Sequence, residues 1–414
     1  MHIKETTLSG ALGQLLSIGI LLCVATTAST ALAEQETFVL KASASGFRDD
    51  NLYRLPENIS FPSLGARSDL IRSLSLAANI ARDISRQHLS LDASISSLRY
   101  RDHANLDNTG NTVVAAWQGE FGSRWKNALH FDNSRRLSNF ADVRTTQKNI
   151  ATVRSMTDKL SYRLTPAFFA TIDVGTSRIS NSSVSAATSD YSTSFREVGL
   201  QFVSPSSNQI KIGYRQTSGH YPNPQLVVLG RASADILIDN SYAQQDLDLS
   251  GSWAATGASQ ISGRIGMTRR HYGDFSARDY NGSTGTLNYS WNQGGPFAFT
   301  VDARRAIDTT TDVTSSYVVT NGISIRPTWT PTAKIAVNGA LDWTRRNPLG
   351  DPARLLTGFG SQADQTRTID LALTYAPTRR IALVLYAKNE RRFSNVPLFA
   401  YQDNVLGLTS SFTY

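Results

Sequence analysis

Beyond position 23 the sequence has no cysteine, so residues 24–414 can form no disulfide and no thiolate metal site. Cys23 itself lies in the apolar stretch 11–24, behind Leu22, which is too large for a lipoprotein cleavage site. No later apolar run approaches the length of a membrane helix. Lysine is scarce, since arginine supplies 33 of the 41 basic residues. His2, His88, His103, His130, His220 and His271 are scattered and show no metal-ligand spacing. No Gly-x-Ser-x-Gly elbow occurs. A Gly-x-Gly-x-x-Ala string at 358–363 lacks a strand-turn-helix context and reads as a turn. Asp102-His103 is an adjacent acid–base pair, but loop pairs of this kind are usually just solvated. The expectation is no catalytic residue and no enzyme activity, no metal, no cofactor and no nucleic-acid partner.

What is present begins with a secretory pattern. Lys4, the apolar stretch 11–24 and Ala31-Leu32-Ala33 give a charged start, a core and a small-x-small cleavage site. Residues 1–33 read as a signal peptide and residues 34–414 as one domain. A secreted chain without disulfides takes its stability from burial, strand pairing or a membrane.

Period two runs through that domain. In the last ten residues Leu406, Leu408, Phe412 and Tyr414 alternate with Gly407, Thr409, Ser411 and Thr413. This tail resembles the closing strand of bacterial outer-membrane barrels, whose assembly machinery reads a terminal aromatic. It departs from them in having Thr409 where a glycine is usual. Similar segments of about ten residues recur along the chain, separated by short turns and longer polar loops. Tyr162, Trp253, Trp291, Trp329 and Tyr375 stand just before short turns, where amphipathic rings suit a membrane interface.

Eight short turns and nine long loops join about 18 strands, with both ends of the domain on the short-turn side. The expected fold class is all-β, a transmembrane antiparallel up-and-down β-barrel in the outer membrane of a Gram-negative bacterium. The repeat of roughly 40 residues also suits a propeller, but each repeat holds two long strands rather than four short ones. Two stretches are ambiguous. Residues 68–84 fit a helix face (Leu70, Leu74, Ala77, Ala81, Ile84) or a strand face (Leu70, Leu74, Leu76, Ala78, Ile80). The strand is the reading adopted. In 150–164, strict alternation puts Asp158 on the apolar side with Leu160 and Tyr162, which predicts a bulge or a later strand start.

If the apolar rows face lipid, the polar rows line water. This gives the lumen-facing candidates Lys41, Arg163, Lys211, Arg215, Arg264, Arg270, Arg304, Arg326, Arg346, Tyr386 and Lys388. They would form a substrate path, with Tyr386 or Phe169 as stacking platforms. Inward Asp92, Asp132, Asp173, Asp302, Asp342 and Asp370 would pair with many of these cations. The excess cation would then make the channel anion-preferring. Loops 218–240 and 347–364 are long enough to fold inward, and the first carries Leu226-Val227-Val228-Leu229, awkward if left in water.

Further motifs are distinctive: Asp50-Asn51-Leu52-Tyr53-Arg54-Leu55-Pro56, Tyr221-Pro222-Asn223, Asp246-Leu247-Asp248-Leu249 with Trp253, residues 262–270, and Arg278-Asp279-Tyr280-Asn281-Gly282. Together they resemble the EpsL barrels encoded with exopolysaccharide biosynthesis genes. The resemblance implies export of an extracellular polysaccharide, which the inward arginines would make an acidic one. It implies as partners that polysaccharide, outer-membrane lipid, the barrel assembly machinery and periplasmic export components. It supplies no catalytic residues. The alternatives are a diffusion porin for small solutes or oligosaccharides, and a non-conducting scaffold of a secretion complex.

Overall fold

The computed structural model describes residues 38–57, 65–141, 147–227, 236–274, 276–308, 317–350 and 362–414. The expected signal segment 1–33 lies outside them. Nine strands come first: β1 Phe38–Asp49, β2 Asp69–Ile84, β3 Gln87–Tyr100, β4 Asn108–Phe121, β5 Trp125–Leu137, β6 Ile150–Arg163, β7 Phe168–Asn181, β8 Tyr191–Val203 and β9 Gln209–His220. A short hairpin, β10 Gln225–Val227 and β11 Ile236–Ile238, follows. Nine more complete the chain: β12 Tyr242–Ala254, β13 Ser259–Tyr272, β14 Tyr280–Asn292, β15 Phe297–Asp308, β16 Tyr317–Thr332, β17 Ile335–Leu349, β18 Asp364–Tyr375, β19 Ile381–Ser394 and β20 Tyr401–Thr413.

Apart from the β10–β11 hairpin, every strand pairs antiparallel with its neighbours in sequence, β9 with β12 across that hairpin. β1 pairs with both β2 and β20, so Ser43 stands opposite Ser75 on one side and Ser411 on the other. The 18-stranded sheet is therefore a closed barrel with no free edge. Tyr414 N–H donates to Leu40 O at 2.8 Å beside this seam.

Period two explains both faces. Opposed residues share a face, so the register aligns Leu249 with Ile212 and Ile265, and Leu385 with Leu373 and Leu408. These side chains point out and stay exposed, Ile265 at 65% and Leu408 at 54%. So wide an apolar surface is unstable in water and stable in a hydrocarbon layer. At the short-turn end the outer face carries aromatic pairs, Trp125–Tyr162 at 4.6 Å and Phe168–Phe202 at 5.3 Å. The short turns lie where expected, Gly122 at φ 60 between β4 and β5 among them.

Both ambiguous stretches are single strands. Residues 69–84 are β2, with Leu74, Leu76 and Ile80 outward. β6 keeps one unbroken register against β5 and β7, so the expected bulge or late start is corrected. Asp158 does face outward, and its Oδ1 accepts from Asn127 Nδ2 at 2.7 Å across the strands. That lateral bond satisfies the carboxylate without breaking the ladder.

Candidate functional site: the lumen wall and its mouth

Parity in the register places Lys41, Arg163, Lys211, Arg215, Arg264, Arg270, Arg304, Arg326, Arg346, Tyr386 and Lys388 on inward positions. Most of the cations are paired. Lys211 Nζ lies 2.5 Å from both Asp173 and Glu197, and Arg215 reaches Glu197 at 2.6 Å. Arg264 meets Asp248 at 2.9 Å. Arg326 bridges Asp302 at 2.8 Å and Asp342 at 3.4 Å. Arg304 stands 3.9 Å from Asp308, and Lys388 is 2.8 Å from Glu390. Arg346 faces Asp364 across the β17–β18 pair.

The rest differ. Arg270 donates to Gln244 Oε1 at 2.8 Å and stacks 4.0 Å over the Tyr242 ring. Arg163 lies 5.6 Å over Phe169. Tyr386 packs against Phe47 at 6.4 Å, in space left by Gly407, where a Cβ would come within 2.4 Å of its ring. Neither Phe169 nor Tyr386 stands as a bare platform.

The expected inward excess of cation is corrected. On inward positions of the described strands seventeen Asp and Glu face fourteen Lys and Arg. On outward positions there are thirteen arginines and one acid, Asp158. The positive balance lies outside because arginine also occupies the last outward positions beneath the long loops. The signal was in the sequence: Arg269 continues the row of Ile265 and Met267 by parity, whereas Arg264 and Arg270 do not.

The wall has two characters. From β7 to β19 it carries the paired charges. From β1 to β4 it carries mainly hydroxyls: Ser43, Ser45, Ser73, Ser75, Ser90, Ser94, Ser96 and Thr112.

The mouth is narrowed on two sides. On one, Leu52, Tyr53, Leu106 and Phe140 from loops pack on inward Phe47, Ile71 and Tyr100. Arg54 staples this side. It donates to Asp49 at 3.0 Å and lies 2.9 Å from Asp403, with 1% of its side chain exposed. Burial opposes its charge, but Asp49 and Asp403 outweigh burial and hold its pKa above the ordinary guanidinium value. Asn51 Nδ2 donates to Leu55 O and to Gln402 O, tying the loop to β20. Three carboxylates, Asp49, Asp50 and Asp403, approach one another here, and Arg54 neutralises the buried two.

On the other side Tyr191 stacks on Tyr221 at 5.4 Å, and Tyr272 tilts against Tyr242 at 5.9 Å. Burial raises the Tyr221 pKa well above its usual value. Arg278 lies 4.5 Å over Tyr272 and donates to Asn240 Oδ1 and Asp239 O, fixing the base of the β10–β11 hairpin. Leu226 on that hairpin remains exposed at 55%, so the expectation that this run is covered fails there, and Leu237 on the facing strand is exposed as well. Residues 228–229 of that run lie outside the described residues, as do 351–361 of the second expected plug loop and most of the 358–363 turn.

Periodicity missed Arg54, Asn51, Asp403 and Arg278, because three of them lie in or next to irregular segments. His103 is buried, its Nδ1 2.7 Å from Asp69 Oδ2. Asp69 also accepts the backbone N–H groups of Arg101, Asp102 and His103. That pairing organises a loop, and Asp102 is not its partner.

Residues 254–413 match the model of a family described as "Putative beta-barrel porin 2". The chain is an outer-membrane β-barrel, with a likeness to that family over its C-terminal strands. No curated protein matches it. Among solved structures it is similar to Pseudomonas aeruginosa OccK2 (OpdF), at 13% identity and TM-score 0.49, over 91% of this chain and 98% of that one. It is also similar to Pseudomonas aeruginosa OpdK with vanillate, at 11% and 0.46 over 92% and 99%. At these scores the likeness adds nothing to the strand register. The closed sheet, the apolar outer face and the partial family match place the barrel in the outer membrane of a Gram-negative bacterium, with lipid around it.

Proposed function

We propose that the barrel is a diffusion channel for small polar solutes or oligosaccharides. The observation that carries this is the charge-compensated wall. Asp173 and Glu197 stand opposite each other on β7 and β8, Lys211 of β9 bridges both, Arg215 meets Glu197 and Arg264 meets Asp248. Each charge thus has a counter-charge beside it, and the group faces a hydroxyl-rich arc. Paired groups offer weak, reversible hydrogen bonds to a passing solute and no uniform potential to retain it. The expected acidic cargo depended on an inward excess of cation, and that excess lies on the outer face.

Export of a polysaccharide, implied by the EpsL resemblance, has less support. The motifs behind it have structural work: Asn51 and Arg54 staple the mouth, Tyr221 stacks on Tyr191, and Asp246 accepts from Thr268. They mark an architecture and carry no trace of a cargo. The eleven inward residues are the proposed solute path.

The test is swelling of liposomes holding the full barrel, in isosmotic monosaccharide, trisaccharide and dextran. Fast swelling with the monosaccharide, slower with the trisaccharide and none with dextran is expected. Equal entry of dextran would restore polymer transport. No entry of any solute, with no conductance in a planar bilayer, would leave the scaffold reading.

A further inference from the structure

The outer face ends, beneath the long loops, in a belt that the channel does not use. Three pairs of arginines stand directly opposite each other across strands: Arg72 and Arg99, Arg154 and Arg178, Arg367 and Arg391. Six more occupy equivalent places: Arg48, Arg135, Arg196, Arg269, Arg305 and Arg345. All twelve are exposed. The six remaining strands put an amide at this level: Asn111, Gln216, Gln245, Asn281, Asn321 and Asn404. Every strand of the barrel therefore presents a guanidinium or an amide. At the opposite rim the outward positions of the described strands are aromatic or aliphatic, Trp125, Trp253 and Trp329 beside Ile210 and Ile381 among them, and Arg82 is the one outward charge there.

Solubility does not account for this pattern. Like charges directly opposite on a sheet destabilise it. Among the described residues, Arg99 is the one of the twelve with a carboxylate within 4 Å, Asp107 at 3.7 Å. No outward acid of the described strands lies in the belt. A polar groove of about 430 Å³ opens within it, lined by Asn111, Asn133, Arg135, Thr152, Arg154 and Asn181. Arg154 Nε donates to Asn133 Oδ1 at 3.1 Å there, which leaves its terminal nitrogens to the groove. Paired guanidinium forks match phosphate, and amides match sugar hydroxyls. The belt lies at the upper edge of the apolar band, where the headgroups of the outer leaflet must meet it.

We propose that this belt binds a phosphorylated glycolipid of the outer leaflet, with opposed arginines clamping its phosphates and the groove holding its sugar. Each phosphate stands between two cations that otherwise repel.

The test uses the full barrel, exchanged from detergent into phosphatidylcholine nanodiscs with ten mole per cent of one probe. The probes are bisphosphorylated lipid A, chemically dephosphorylated lipid A, and phosphatidylglycerol at matched charge. Lipid retained on the barrel is counted by native mass spectrometry. The wild type should retain bisphosphorylated lipid A at least tenfold more than either other probe. Arg154→Gln with Arg178→Gln should reduce that retention severalfold, with single-channel conductance unchanged. Equal retention of the dephosphorylated probe overturns the proposal, and equal retention of phosphatidylglycerol reduces the belt to an unspecific charge. The lipid comparison needs no variant, so it decides even if the double substitution prevents folding.

Discussion

Arg54→Ala is the sharpest test of how the mouth is held. The side chain is buried between Asp49 and Asp403, at 3.0 and 2.9 Å, and donates to Asn51 O at 2.5 Å. Its removal leaves two buried carboxylates facing each other without a cation. Breaking a buried ion pair from one side costs about 3–5 kcal/mol. At about 1.4 kcal/mol per decade that is two to four decades in the equilibrium between a docked and a released loop. Leu52 and Tyr53, the loop's buried apolar side chains, contribute about 2 kcal/mol each. The loss is as large as their sum, so docking of residues 50–57 should fail while the barrel beneath stays closed. Arg54 also has φ 55, a conformation that alanine adopts at a cost. Arg54→Gly, which removes that strain, separates the two effects. The assay is single-channel conductance in planar bilayers, with protease cleavage of the loop in folded protein as a second readout. Both variants should conduct more and be cut faster than wild type. Wild-type conductance and protection in Arg54→Ala would mean that apolar packing alone holds the loop.

Lumen charge gives a second prediction. Reversal potentials under a salt gradient should be small in the wild type, and Lys211→Met, which strands Asp173 and leaves Glu197 to Arg215 alone, should move the channel toward cations. A strongly anion-selective wild type would defeat the compensated-wall reading. On the lipid face, Asn127→Leu with Asp158→Leu should stabilise the barrel by about 1–4 kcal/mol, since well-packed apolar groups usually match or improve on a desolvated polar pair. Urea unfolding from lipid vesicles measures this, and a fall in midpoint would point to a role beyond mutual satisfaction. Deleting residues 412–414 removes the Phe412–Ala42 pairing and the Tyr414–Leu40 bonds, so heat-modifiable barrel should not accumulate in the outer membrane. Normal insertion would show that the seam closes without them.

Period two, turn composition and the aromatics before the turns determined the strands, their faces and the barrel class. These are properties of neighbours in sequence, and side-chain direction in a strand depends only on parity. β2 shows the limit, because Leu70, Leu74 and Ile84 fit a helix until Ile80 is placed opposite Phe38. The same parity assigned Lys41, Lys211 and Arg264 inward, but it could not say which acids they meet. Lys211 finds Asp173 and Glu197 from 38 and 14 residues away in the chain, through registers that only the assembled sheet defines. Asp158 looked like a break in β6, and a partner on β5 removed the need for one. Arg54 had no periodic signal, and its partners come from β1 and, 349 positions on, from β20. The arginine belt lies between these cases. Each arginine continues an apolar row that the sequence displays. That twelve of them share one level is a property of the closed barrel, since only closure brings eighteen strand ends to a common rim.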